Sequence, residues 1–140
     1  MLDLDKFKLD ERLEKDTFFV KDLKLSRLLI MNDSRYPWLI LVPRVFFNKE
    51  PITELFELED EQLLELQREV KIYSEFLKQE FQATKINVAS LGNVVKQLHI
   101  HIVARYENDE TWPAPVWGKG KASYYNDAEL AEFSQKLQKN

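Results

Sequence analysis

The 140-residue chain has only two histidines, and both stand in one short stretch, QLHIHIVAR at 97–105. Imidazole is the side chain that is largely neutral, nucleophilic and able to exchange a proton near pH 7. Two imidazoles separated by one residue are therefore a candidate chemical unit. If the stretch is a β-strand, its side chains alternate: Gln97, His99 and His101 share one face and Leu98, Ile100 and Ile102 the other. Residues two apart on a strand stand about 7 Å apart. The apolar face must be the buried one, which places the amide and the two imidazoles in a row on the opposite face. Just upstream, Gly92 and Asn93 offer flexible backbone N–H groups of the kind that an anionic oxygen or a phosphate would call for.

Two other readings of the same residues stand beside this one. His99 and His101 are also what the solvent face of an amphipathic strand would carry with no task at all. His-x-His on a strand can chelate a metal as well. With no cysteine in the chain, its third ligand would have to be Asp or Glu. The cupin pattern puts an acidic ligand three or four residues after the second histidine. Here Glu107 follows only after five intervening residues, so no metal is assigned.

The stretch must be held by a fold, and the pattern outlines one. Lys8 to Lys15 reads as a short polar helix. DTFFVKDL (16–23) and SRLLIMND (26–33) read as strands bounded by turn-forming residues. WLILVPR, Trp38 to Arg44, is a nearly continuous apolar run, as expected of a strand covered on both faces. From Glu59 to Ala83, Leu63, Leu66, Val70, Tyr73 and Leu77 recur three and four apart, which predicts one long amphipathic helix packed on the sheet. KINVASLGN (85–93) and QLHIHIVAR make two further strands. YENDETWPAPVWGKGK, after Arg105, is expected to be an ordered irregular loop whose tryptophans need packing partners. Asn126 and Glu129 form a capping pair for a last helix over Asp127 to Lys139, with Leu130, Phe133 and Leu137 on one side. Strands grouped together rather than alternating with helices predict an α+β fold with a five-stranded, mainly antiparallel sheet.

Composition bounds the rest. The length suits one domain over 1–140, with a core at about 16–105 and a C-terminal loop and helix at 106–140. A net charge of −4 gives no general attraction to phosphate backbones, so nucleic acid is not an expected partner. No apolar run is long enough to span a membrane, and the start, MLDLDKFKLD, lacks the apolar core of a leader. The expected compartment is the cytoplasm. Arg44, Lys96 and Arg105, at strand ends, are read as solvated.

Gln97-Leu98-His99-Ile100-His101-Ile102-Val103 resembles the signature of the histidine triad (HIT) family, His-φ-His-φ-His-φ-φ with φ apolar. LGNVVK, a few residues upstream, is similar to that family's Gly-Gln-Ser/Thr segment, and the likeness extends more weakly over residues 16 to 105. It implies a divergent, bacterial-type member with a HIT-like fold, a homodimer, no cofactor, and a nucleotide as its small-molecule partner. By the same resemblance His99 would attack an α-phosphorus and carry the nucleotide covalently. Its other ring nitrogen would be held by a backbone carbonyl near Gln97, and His101 would contact the phosphate oxygens. Asn93 and Gly92 would take the phosphate side, Asn32 the ribose hydroxyls, and Leu28 to Ile30 a wall of the base site. Three positions depart from the pattern: Gln97 for the first histidine, Val94 for the hydroxyl residue that helps the leaving group, and Trp38 for an upstream histidine. Slower or altered turnover is expected from these, toward leaving groups that need less acid help.

Overall fold

The long apolar period in the middle of the chain folds as predicted into a helix that floors the sheet. A computed structural model describes residues 6–139. Residues 1–5, the first part of the stretch read above for a leader, and residue 140 lie outside the described residues. In chain order the elements are α1 (Glu11–Asp16), β1 (Thr17–Asp22), β2 (Ser26–Met31), β3 (Trp38–Pro43), a two-residue hairpin of β4 (Phe46–Phe47) and β5 (Glu50–Pro51), α2 (Asp60–Glu80), β6 (Lys85–Ala89), β7 (Ile100–Arg105) and α3 (Asp127–Gln138), with a single 3₁₀ turn at Leu55–Glu57 before α2.

Five strands form one sheet in the order β1-β2-β3-β7-β6, and every pairing is antiparallel. The first three follow the chain as a meander. β7 then inserts between β3 and β6, which places the histidine strand one position from the sheet's edge. The fold is α+β, as the grouping of strands predicts.

One face of the sheet packs on α2 and α3. Leu28, Ile30, Leu39, Leu41, Ile100, Ile102 and Ala104 meet Leu66, Tyr73, Phe76 and Leu77 of α2 and Phe133 and Leu137 of α3 there. Leu29, Trp38, Ile40, Val42 and Val103, at the alternate positions, turn to the opposite face, where Leu9, Leu13 and Val116 cover them. For β3 this second cover agrees with the reading of a strand covered on both faces; over the histidine strand it was not foreseen. It is built from both ends of the chain, and it makes β3 and β7 buried at every position.

Helix ends follow their caps. Asn126 accepts from Glu129 N and Glu129 reciprocates to the Asn126 N–H, as predicted. α1 begins at Glu11 rather than Lys8 because Asp10 caps it, its carboxylate accepting from the Arg12 N–H at 2.8 Å. β7 begins at Ile100 rather than Gln97, so His99 immediately precedes the strand and His101 lies within it.

Candidate functional site

His101 sits opposite Ile40 of β3 and Ala89 of β6, on the face covered by the chain ends. The same alternation brings His99 to that face, and the two imidazole centroids are 4.9 Å apart, closer than ideal strand spacing gives. Their placement together agrees with the sequence reading. Their surroundings do not: His99 and His101 are each 4% exposed, so the histidine face is not an open polar surface.

Each ring has one nitrogen committed. His99 Nδ1 lies 2.7 Å from the backbone carbonyl of Gln97. A carbonyl only accepts, so Nδ1 carries the proton and Nε2 keeps the lone pair while the ring is neutral. His101 has the reverse arrangement, because the indole Nε1–H of Trp38 donates to its Nδ1 at 3.0 Å. An indole only donates, so the His101 proton is on Nε2. Trp38 reaches this nitrogen from two residues along β3 from the directly paired Ile40, a diagonal that a large aromatic can span. Burial, with the charge of a protonated His99 as a lesser cause, pushes His101 down to about 3. The pair thus presents a lone pair beside a hydrogen-bond donor.

The cover over the rings comes from two segments. Trp117, in the loop after β7, packs edge-on against His101 at 5.1 Å and against Trp38 at 5.9 Å. The loop is held by two arginines. Arg105, 1% exposed, binds the Asp109 carboxylate and the Ala114 carbonyl, and Arg35 binds Asp33, Glu110 and the Lys119 carbonyl. The other segment precedes α1. Gln97 Oε1 accepts the Asp10 N–H at 2.7 Å, Gln97 Nε2 donates to the Lys8 carbonyl at 3.1 Å, and Arg12 donates to the Val94 carbonyl at 2.6 Å. The side chain of Gln97 is therefore engaged in tying down the N-terminal segment, while its backbone carbonyl orients His99.

The other residues singled out in the sequence are distributed unevenly. Gly92 and Asn93 are exposed and line a cleft of about 360 Å³ with Thr53, Ser90 and Lys96. A Cβ at Gly92 would come within 3.2 Å of the Val95 carbonyl, so this turn runs close to its own backbone. Val94 is 73% exposed. A second cleft, about 460 Å³, runs along the N-terminal segment and is bordered by Gln97, Lys8, Phe46 and Lys49.

Asn32 directly follows β2, its side-chain oxygen accepting from the Tyr125 N–H at 3.0 Å, which links that strand end to the approach to α3. Leu28 and Ile30 do not border the imidazoles. Their alternation turns them into the α2 side of the sheet, and Leu29 is the β2 leucine on the histidine face. Arg44 and Arg105, read as solvated, are both buried. Arg44 Nε donates to the Leu25 carbonyl at 3.2 Å, and its Nη2 donates to Leu23. Lys96 is exposed as read.

Trp117, whose need for a packing partner was read from sequence, finds it in Trp38 and His101, whereas the burial of Arg105 and the pairing of Asp33 with Arg35 were not read. The signal for Trp117 was that a tryptophan in a polar loop needs an aromatic or apolar partner. Among the described residues no group of three His, Asp or Glu side chains could hold a metal ion, which leaves the chelate reading without a third ligand. No helix among them is long and apolar enough to cross a membrane.

Comparison with known proteins adds an independent line. A family model described as HIT domain matches residues 12–108. Among solved structures, a histidine triad protein from Sinorhizobium meliloti is 42% identical over 99% of both chains, with a TM-score of 0.92. One from Marinobacter aquaeolei is 44% identical over 95% of this chain and 94% of that one, at 0.89. Diadenosine triphosphate hydrolase from Plasmodium falciparum, 16% identical over 96% of this chain and 79% of that one at 0.62, shares the fold. No curated protein matches the chain.

Proposed function

The chain belongs to the HIT family, and from that membership we propose that it is a cytoplasmic nucleotide hydrolase or nucleotidyl transferase, one domain over 1–140 acting as a homodimer. Its substrate is a nucleoside monophosphate joined through its α-phosphate to a second group, as in a dinucleoside polyphosphate or a phosphoramidate. The observation that carries the reading is the 2.7 Å contact from His99 Nδ1 to the Gln97 carbonyl, which directs the lone pair of His99 to Nε2. In the first step that lone pair bonds to the α-phosphorus and the bond to the second group breaks, its electron pair departing with that group. In the second step water attacks the same phosphorus and gives up a proton to the solvent, the N–P bond breaks, and His99 recovers its lone pair. His101 donates through Nε2–H to the phosphate oxygens, where negative charge builds.

Gly92 and Asn93 are proposed for the phosphate side from the cleft they line, and Asn32 for the ribose, with the amide nitrogen that Tyr125 leaves unused. Because both rings are 4% exposed, substrate entry requires part of the cover to lift. The segment joined by Gln97 to Lys8 and Asp10 is the proposed moving part.

The same burial favours a second reading, a nucleotide-binding protein of this fold with little or no turnover. Incubation with labelled adenosine phosphoramidate or diadenosine tetraphosphate, followed by an alkaline quench, separates the two. The enzyme reading expects nucleotide attached to His99 and none on H99A. Binding without adduct or product establishes the second reading instead.

A further inference from the structure

We infer that Trp38 is a positioning residue whose indole N–H fixes His101 as a neutral Nε2–H donor, so that the site can hydrogen-bond a departing group but cannot hand it a proton. The tautomer stands on the structure alone; its consequence for turnover rests on the function proposed above.

The geometry leaves little freedom. Trp38 Nε1 lies 3.0 Å from His101 Nδ1, and Trp38 is itself 4% exposed, wedged between Tyr36 and Trp117 with ring centroids 6.3 and 5.9 Å away. The indole can neither accept a proton nor lose one in the working range of pH, so it cannot exchange roles with the imidazole. A charged His101 would need Nδ1 to become a donor and would confront the Trp38 N–H. His99 is the titratable side chain that acts on it electrostatically, and that action also opposes the charge. Among the described residues, no carboxylate hydrogen-bonds to either imidazole. A histidine at position 38, which the family resemblance leads one to expect, could titrate and relay a proton; tryptophan cannot.

The leaving group then decides the outcome. When His99 displaces the remainder of a polyphosphate, the P–O bond breaks and the electron pair rests on a phosphate oxygen, a stable anion that needs no proton. When it displaces an amine from a phosphoramidate, the P–N bond breaks and the nitrogen must be protonated as it leaves. His101 and Trp38 do not supply that proton, and Val94 has no hydroxyl with which to do so. General acid help is worth roughly 10²- to 10⁴-fold, so the expected preference for phosphoanhydride over phosphoramidate is on the order of 10²-fold in kcat/KM or more.

The test has a spectroscopic arm and a kinetic arm. Side-chain nitrogen NMR of the wild-type protein should show His99 protonated at Nδ1 and His101 at Nε2, with His101 not titrating between about pH 5 and pH 8. In W38F, which keeps an aromatic ring and removes the donor, His101 should populate both tautomers. Should W38F fail to fold, the wild-type spectrum decides alone. A proton on His101 Nδ1, titration of that ring near neutrality, or an unchanged tautomer in folded W38F overturns the inference.

In the kinetic arm, diadenosine tetraphosphate should be turned over far faster than adenosine phosphoramidate. W38H should shift the ratio toward the phosphoramidate by about tenfold or more. Equal wild-type rates overturn the leaving-group consequence. If neither substrate reacts while the tautomers are as stated, the proposed enzyme function fails and the role of Trp38 stands.

Discussion

Gln97 and Asp10 meet across 87 residues of sequence, the amide oxygen of the first accepting the backbone N–H of the second at 2.7 Å. With the Gln97 Nε2 bond to the Lys8 carbonyl, this makes the first signature position a latch. Leu9 and Leu13, on either side of Asp10, are the residues that cover the histidine face. Q97A removes both bonds, which are worth about 1 kcal/mol each, so the protein should lose about 2 kcal/mol of stability in urea unfolding. The local effect should exceed the global one. Backbone amides of residues 8–13 should exchange faster with deuterium, and His99 should be acylated by diethylpyrocarbonate faster than in the wild type. An Asp10 amide that exchanges no faster in the variant would show that the latch does not hold the segment.

Arg105 and Asp109 hold the other half of the cover, and their pairing should be visible as acid sensitivity. Burial alone would raise the Asp109 carboxyl, but the Arg105 guanidinium and the N–H groups of Tyr106 and Thr111 outweigh it and hold the group at about 2. A folded value below the ordinary 3.8 means that the stabilisation is complete above that pH and is lost as the pH falls from there toward about 2. D109N leaves Arg105 buried without its counter-charge, which should cost about 3 kcal/mol or more at neutral pH. The variant's unfolding midpoint should also vary less than the wild type's between about pH 4 and pH 2. Equal acid sensitivity in both proteins would refute the assignment.

What could be read in advance was whatever a single element's period encodes. The three-and-four spacing of Leu66, Val70, Tyr73 and Leu77 defines α2, and the apolar runs define β3 and β7, because burial of a face leaves a local pattern. The pairing of His99 with His101 was legible for the same reason. Their burial was not, since the covering residues Leu9, Leu13, Val116 and Trp117 come from segments with no period of their own. That Leu28 and Ile30 turn to α2 and Leu29 to the histidines was not legible either, because β2 is apolar at consecutive positions and its composition does not reveal the parity. Arg44 and Arg105 look like solvated strand ends by residue type. They are buried because loop carbonyls and a carboxylate, Asp22 at 3.8 Å for Arg44 and Asp109 at 2.8 Å for Arg105, converge on them.

Glu69 lies on the buried stripe of α2, where the spacing of its neighbours would have called for an apolar residue. Its Oε2 accepts the N–H groups of Leu25 and Ser26 at 2.9 and 3.4 Å, joining the helix to the start of β2, while Oε1 is buried with no hydrogen-bond partner among the described residues. Burial pushes the carboxyl above its ordinary 4.5 despite those bonds. The stability it contributes is therefore complete below 4.5 and is lost as the pH climbs through the raised folded value. E69Q has the same shape and cannot titrate. Its urea midpoint, relative to the wild type, should improve as the pH is raised from about 4 to 7. A difference between the two that stays constant over that range would place the carboxyl in a solvated setting.

The sheet order leaves β1 and β6 as its two edges, and the edges are not equivalent. On β1 the exposed ring of Phe19 lies under the Arg27 guanidinium at 5.2 Å, a charge that discourages another strand from docking. On β6, Val88 is 50% exposed, and it faces the α2 side of the sheet, where Ile72 is 52% exposed. An edge with unpaired backbone groups and an exposed valine is a template for another strand, so the proposed homodimer is expected to form through β6. Wild-type protein at micromolar concentration should then scatter light as a dimer. V88K, which places a charge in the centre of that edge, should weaken association at least about tenfold, equivalent to 1.4 kcal/mol. A monomeric wild type would remove the dimer altogether. An undiminished dimer in V88K would move the contact to another surface, because a lysine cannot be buried between two apolar edges without a partner for its charge.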